Sequence, residues 1–134
     1  MLTKKTLIQL VTGLLILAAC APGQARIEVE TLNFDFGEVV LGDTVWRDMQ
    51  LTNAGTGELV IERIVGSCDC TRGAVNDTNL PAGASTNLRI SFASAELYGE
   101  VVGPIIRSVY IYSNDPNQPE LQIEFSGTIV RDSN

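Results

Sequence analysis

The chain has 134 residues, 45 % of them hydrophobic, with one tryptophan, three tyrosines and four phenylalanines, which is enough for one packed domain. Its formal charge is −7, and both lysines, Lys4 and Lys5, stand at the N-terminus, so all 16 acids face only seven arginines in the rest of the chain. Such a field repels phosphate backbones and argues against nucleic-acid binding, and the complete absence of histidine removes Ser/His and Cys/His catalysis along with His-ligated metal centres.

Residues 1–20, MLTKKTLIQLVTGLLILAAC, read as a secretory signal: two lysines, an apolar run over 7–17, then small Ala18 and Ala19. The run is short for a permanent membrane helix, which needs about 20 apolar residues, so a removable signal helix is expected over 1–19. Leu17, Ala18, Ala19 and Cys20 resemble the lipobox of bacterial lipoproteins, which implies that Cys20 is acylated and attaches the protein to a membrane. Two or three acyl chains hold durably where one does not, at about 0.8 kcal/mol per buried CH₂. The competing reading, an ordinary signal that leaves Cys20 as a stray thiol, puts an unpaired cysteine where wrong disulfides form. Ala21 stands where, by the same resemblance, an aspartate would retain the protein at the inner membrane, so the expected address is the outer membrane, facing the periplasm. Residues 20–30 read as a tether and 31–131 as the folded domain.

In the body, apolar residues recur at every second position and no helical period is sustained. Leu32, Phe34 and Phe36 alternate with Asn33 and Asp35; Leu88, Ile90 and Phe92 with Arg89 and Ser91; Leu121, Ile123 and Phe125 with Gln122 and Glu124. Residues 45–52, 59–65 and 105–112 are also strand-like, although Arg47 and Arg107 fall on the apparent inner faces and call for a bulge or an edge there. Met49, in phase with Val45 and Leu51, reads as core. Turn chemistry separates these runs at 41–43, 53–57, 81–83 and 114–119, and Gly55, Thr56 and Gly57 read as a hairpin signal. The expected fold is all-β: an immunoglobulin-like antiparallel sandwich of about seven strands.

The order of LNFDFGEV, LTNAGTGELVIERI, SCDCT, LPAGAS and SNDPNQPELQIEFSGTI resembles the bacterial domain-of-unknown-function 1573 family, an immunoglobulin-like group related to Hydin-type domains, over residues 31–130. The resemblance implies fold and an exported, often lipid-anchored address, and no biochemical activity. The family's usual motif has glycine between its two cysteines, where this chain has Asp69, which makes a tight turn there less assured.

Cys68 and Cys70 are the candidate site. Two residues apart in an extended segment, they face one side and can converge on each other or on one ion. A bridge closing so small a loop contributes only about 1.6 kcal/mol by loop entropy. A structural disulfide or simple packing, a redox pair influenced by Asp69 and Arg72, and a Cu(I) site all remain open; zinc lacks the remaining ligands, and no metal or cofactor is assigned. With no phosphate loop and only scattered carboxylates, the function read from the sequence is non-catalytic: a lipid-anchored envelope module that binds a protein or glycan, the alternative being thiol exchange or Cu(I) binding at Cys68 and Cys70. Contact surfaces are expected at the cysteine loop, at the stretch 95–100 (AELYGE, where Leu97 and Tyr98 either contact a partner or cap the core), and at exposed strand edges.

Overall fold

The computed structural model describes residues 22–97, 99 and 101–134. The signal segment 1–19 and Cys20 lie outside the described residues, as do Ala21, Tyr98 and Glu100. Nine strands follow one another: β1 (Ile27–Val29), β2 (Asn33–Val40), β3 (Thr44–Asn53), β4 (Leu59–Gly66), β5 (Thr71–Val75), β6 (Asn79–Leu80), β7 (Ser85–Ala93), β8 (Gly103–Ser113) and β9 (Glu120–Val130). They form a four-stranded sheet, β1-β3-β7-β5, and a five-stranded sheet, β2-β9-β8-β4-β6.

The all-β sandwich is as the alternation predicts, with three corrections. Strands number nine rather than about seven, because β1 and β6, three and two residues long, are too short to show a period. Pairing is antiparallel except between β2 and β9, which run parallel. The tether read over 20–30 ends earlier: Ala25 and Ile27 are buried, and β1 pairs with β3 from Ile27↔Asn53 to Val29↔Leu51.

Successive strands alternate between the two sheets at every connection except the β8–β9 hairpin. The turn 53–57 is therefore a crossing between sheets and not a hairpin. Its glycines serve a close approach instead. A Cβ on Gly55 would overlap the Gln24 carbonyl and one on Gly57 the Gly23 carbonyl, while Thr56 N and Gly57 N donate to Gln24 O at 2.9 and 3.1 Å.

Inward-facing residues of both sheets make one core. Met49 and Leu51 of β3 and Leu88, Ile90 and Phe92 of β7 face Val109 and Ile111 of β8 and Ile123, Phe125 and Ile129 of β9. All four phenylalanines of the chain meet at one end of it. Phe125 lies 5.6, 5.0 and 5.7 Å from Phe34, Phe36 and Phe92, so the cluster spans both sheets. Leu32, placed inward by its alternation, precedes β2 and is 45 % exposed.

The bulges occur elsewhere than at the two inward arginines. One lies in β2 between Asp35 and Glu38, where Gly37 takes φ 73° and its N–H donates to Asp35 Oδ1 at 2.8 Å. The other lies in β4 between Ile61 and Arg63, and it turns Arg63 outward and Ile64 toward the core. Arg47 keeps its phase and lays its guanidinium 4.9 Å from the Phe34 ring centroid; Arg107 also keeps its phase, opposite Phe125, and donates to the Ile106 carbonyl at 2.7 Å.

Three buried polar residues fasten the crossings. Asn53 donates to Gly57 O (2.7 Å) and Leu80 O (3.0 Å) and accepts from Arg26 N and Gly55 N. Ser94 accepts from Gly42 N at 2.8 Å and its hydroxyl donates toward Val40 O and Asp43 O. Asp115 accepts from Ile27 N, Asn117 N and Gln118 N at 2.9, 2.9 and 3.1 Å, which joins β1 to the β8–β9 turn. Replacing Asp115 by alanine strands those donors. It is expected to lower stability by about 1–3 kcal/mol, read as a lower urea midpoint at unchanged slope. Asn117→Ala, at an exposed side chain, should stay within about 0.5 kcal/mol.

Candidate functional site

The segment from Ser67 to Cys70 carries the chain from β4 in one sheet to β5 in the other. Thr71 N donates to Cys68 O at 3.1 Å, closing a four-residue turn centred on Asp69 and Cys70. No described residue other than glycine has positive φ, so Asp69 serves this turn without the backbone freedom that glycine would offer. Gly66 is needed for a different reason: a Cβ there would overlap the Thr71 carbonyl where β4 and β5 touch. Ser67 N donates to Ser108 O at 2.8 Å and Ser108 N donates to Ser67 Oγ at 3.0 Å, which ties the turn to β8.

Cys68 and Cys70 are joined as a disulfide, with their Cα atoms 5.1 Å apart. The Thr71 hydroxyl lies 3.3 Å from the Cys68 sulfur and 3.7 Å from that of Cys70. Cys70 is only 3 % exposed and belongs to the core, whereas Cys68 is half-buried. Cys68 is therefore the more accessible half of the pair, the side from which an external thiolate would approach with Cys70 as the leaving group. While the bond stands, neither sulfur is a thiolate that could hold Cu(I). Among the described residues, no three His, Cys, Asp or Glu side chains come together as a metal site.

The outer face of the four-stranded sheet begins at this corner. The pairings Trp46↔Ser91↔Arg72 and Asp48↔Arg89↔Ala74 set these residues side by side in two adjacent rows, on the side away from the core. Trp46 is 59 % exposed, and Arg89 lies 5.6 Å from its ring centroid. Arg89 grips Asp48 with two hydrogen bonds, Nε to Oδ1 at 2.8 Å and Nη2 to Oδ2 at 2.7 Å, and Asn87 donates to the same carboxylate at 3.3 Å. These bonds, the one from Arg89 first and that from Asn87 next, pull the Asp48 carboxyl from 3.8 down to about 2.

Two hollows flank this row. One, of about 260 Å³, is lined by Thr44, Cys70, Arg72, Ser91, Ala93 and Glu96. The other, of about 400 Å³, is lined by residues that include Glu30, Asp48, Gln50 and Asn87. The structure thus brings together two of the surfaces expected from the sequence, the cysteine turn and the start of the 95–100 stretch. Leu97 packs against the core, while Tyr98 lies outside the described residues. Trp46 is the residue that the sequence reading missed, although its phase opposite to Met49 and Leu51 points it outward.

The other sheet also exposes apolar side chains on its outer face, Ile106 at 61 % and Val65 at 43 %, but these are aliphatic and give no open aromatic plane. Its outer-face Tyr112 is half-buried and covered by Arg63, whose guanidinium lies 4.0 Å from the ring centroid, and a hydrogen bond with Glu120 raises the Tyr112 pKa.

Residues 27–129 match the model of a family described as Protein of unknown function (DUF1573). No curated protein matches. Among solved structures, a protein of unknown function from Porphyromonas gingivalis W83 is 22 % identical at a TM-score of 0.68 over 87 % of this chain, which spans about half (51 %) of that protein. The ASH / PapD-like domain 7 of human CEP192 is 13 % identical at a TM-score of 0.60, with 80 % of this chain and 87 % of that one covered. The secreted serine protease VesC from Vibrio cholerae is 13 % identical at 0.52, with coverage of 79 % and 23 %. At these identities the likeness is one of fold.

Two outcomes are expected from this geometry. After reduction, an alkylating reagent should label Cys68 well before Cys70 by peptide mass spectrometry, and loss of the bond should lower stability by no more than about 1.6 kcal/mol; equal labelling would mean that the corner opens. Because the folded Asp48 carboxyl titrates below its unfolded value, its contribution to stability is complete above about pH 4 and disappears as pH falls toward 2. Carboxyl-carbon NMR should place its midpoint near 2 and return it toward 3.8 in Arg89→Ala.

Proposed function

This chain belongs to the DUF1573 family, and from that premise we propose that it is a lipid-anchored module of a bacterial envelope, held to the membrane through Cys20, that acts by binding and not by catalysis. The outer face of the four-stranded sheet is the binding face. The observation that carries this reading is Trp46, exposed between two hollows on an otherwise polar sheet surface. Tryptophan is among the residue types most enriched at the centre of contacts, and here its ring carries Arg89 and is surrounded by polar groups.

The anchor and the Trp46 end of the binding face lie at opposite ends of the sandwich. Residues 23–26 pack on the 53–57 turn, where Ala54 N donates to Arg26 O at 2.8 Å, and the pairings Thr44↔Ala93 and Trp46↔Ser91 lie at the other end of β3. Ten residues of β3 extend about 30 Å. Only the stretch from Cys20 to the buried Ala25 separates the acylated residue from the fold, at most about 18 Å of chain. The cysteine corner and Trp46 are thereby directed away from the bilayer, toward the periplasm if the address is the outer membrane.

A second reading, thiol exchange at Cys68 and Cys70 or Cu(I) binding by the reduced pair, is favoured by the greater exposure of Cys68 than of Cys70. It requires the pair to cycle reversibly against a mild dithiol, or to take up copper stoichiometrically once reduced.

Two measurements test the main reading. Cys20→Ala should move the full chain from the membrane to the soluble fraction. A benzophenone side chain placed at Ser91 should crosslink an envelope component in intact cells, whereas one placed at Thr128 on the opposite sheet should not. Equal labelling from both positions removes the basis for a binding face.

A further inference from the structure

We infer that the outer face of the four-stranded sheet binds a linear, uncharged oligosaccharide, with Trp46 as the platform under one sugar ring. This rests on the reading of that face as the binding surface and names its ligand class. A pyranose ring presents a face of C–H groups and a rim of hydroxyls. It therefore needs an exposed aromatic plane ringed by fixed polar groups, and no deep apolar pocket.

Trp46 supplies the plane, at 59 % exposure, and Arg89 orients its ring from 5.6 Å. Arg89 is itself held by the two bonds to Asp48, so both ends of that fork are positioned before a ligand arrives. A planar carboxylate–guanidinium pair offers acceptors and donors in one plane, which matches the adjacent hydroxyls of a sugar. Ser91, paired with both Trp46 and Arg72, forms a low floor between them, so a ring seated on Trp46 is not blocked on that side.

Charge selects against anionic ligands. Arg72 and Glu96 line the same hollow without an ion pair between them, Arg89 is matched by Asp48, and Glu30 adds an acid to the second hollow. Two arginines against three carboxylates leave no positive field for a polyanion. Shape points to a chain of sugar units: the hollows of about 260 and 400 Å³ lie at the low end of small-molecule pockets and sit on either side of Trp46. From Thr44 to Gln50 the face runs about 20 Å along β3. Strand addition by a peptide would instead use the edges β1 and β5, leaving Trp46 uncovered.

The experiment uses the full chain in a sugar-free detergent and an array of linear neutral hexasaccharides that includes β-1,4-linked glucose and β-1,4-linked N-acetylglucosamine, with oligogalacturonate of equal length as the charged control. Trp46 is the chain's single tryptophan, so intrinsic fluorescence reports on the site directly, and saturation-transfer NMR on the sugar provides a readout that survives its replacement. A neutral hexasaccharide should shift the fluorescence saturably; Trp46→Ala should weaken binding at least tenfold, Trp46→Phe by less, and Tyr112→Phe not at all. The inference falls if no neutral hexasaccharide binds, if oligogalacturonate binds as well, or if Trp46→Ala binds like the unaltered chain. A protein crosslinked from Ser91 without any sugar binding overturns the ligand class and keeps the binding face, whereas neither result overturns both.

Discussion

The structure depends on a constraint of connectivity: the chain changes sheet at every link but the last. Apart from the β8–β9 hairpin, neighbouring strands are therefore separated in sequence by at least one strand of the other sheet, as with β3 against β7 or β2 against β9, so the two sheets are built from interleaved segments. What unites them is the shared apolar layer, densest where Phe34, Phe36, Phe92 and Phe125 converge from three strands. Each crossing must also satisfy backbone groups that lack a ladder partner, because a buried donor without an acceptor costs more than a made bond returns. Asn53 and Ser94 meet that demand where they stand, Asp115 does the same for the β8–β9 turn, and among the described residues no buried side-chain nitrogen or oxygen lacks a hydrogen-bond partner.

This architecture separates the two ends of the sandwich by role. At one end the N-terminal segment, the 53–57 turn, β6 and the β8–β9 turn are knitted together through Asn53 and Asp115. At the other, the cysteine turn, the 3-10 turn at Ser94–Glu96 and the start of β3 border a hollow with charged and hydroxyl side chains. The disulfide belongs to this second end. With a loop so small it contributes little to global stability; it fixes instead the local path by which Cys70 enters the core and Arg72 emerges on the outer face.

The regular part of this arrangement was legible in the sequence. Alternation in β7 and β9 gave the core faces directly, Met49 was placed inward by its phase, and the cysteine spacing located a corner. Other features depend on tertiary context. The parallel partnership of β2 with β9 joins residues 91 apart, Asn33 with Glu124, and nothing in either strand encodes direction. The bulge in β4 is written as a break in phase, since Arg63 falls where an apolar residue belongs and Ile64 where a polar one does, whereas Arg47 and Arg107 hold inward positions without a bulge because long side chains can leave the core by bending over it. Trp46 was hidden for the opposite reason: tryptophan is read as core by habit, and only the parity of its neighbours shows that it points to water.

The placement of β9 governs how the chain can be made. It lies between β2 and β8, so the last of the described strands is an interior one, and β2 has no other partner in its sheet. Until β9 is in place β2 has no ladder, and Phe34 and Phe36 lack the Phe125 ring on which they pack. Docking of β9 is thus the step that completes the sheet, which ties the speed of folding to a long-range encounter rather than to a local hairpin.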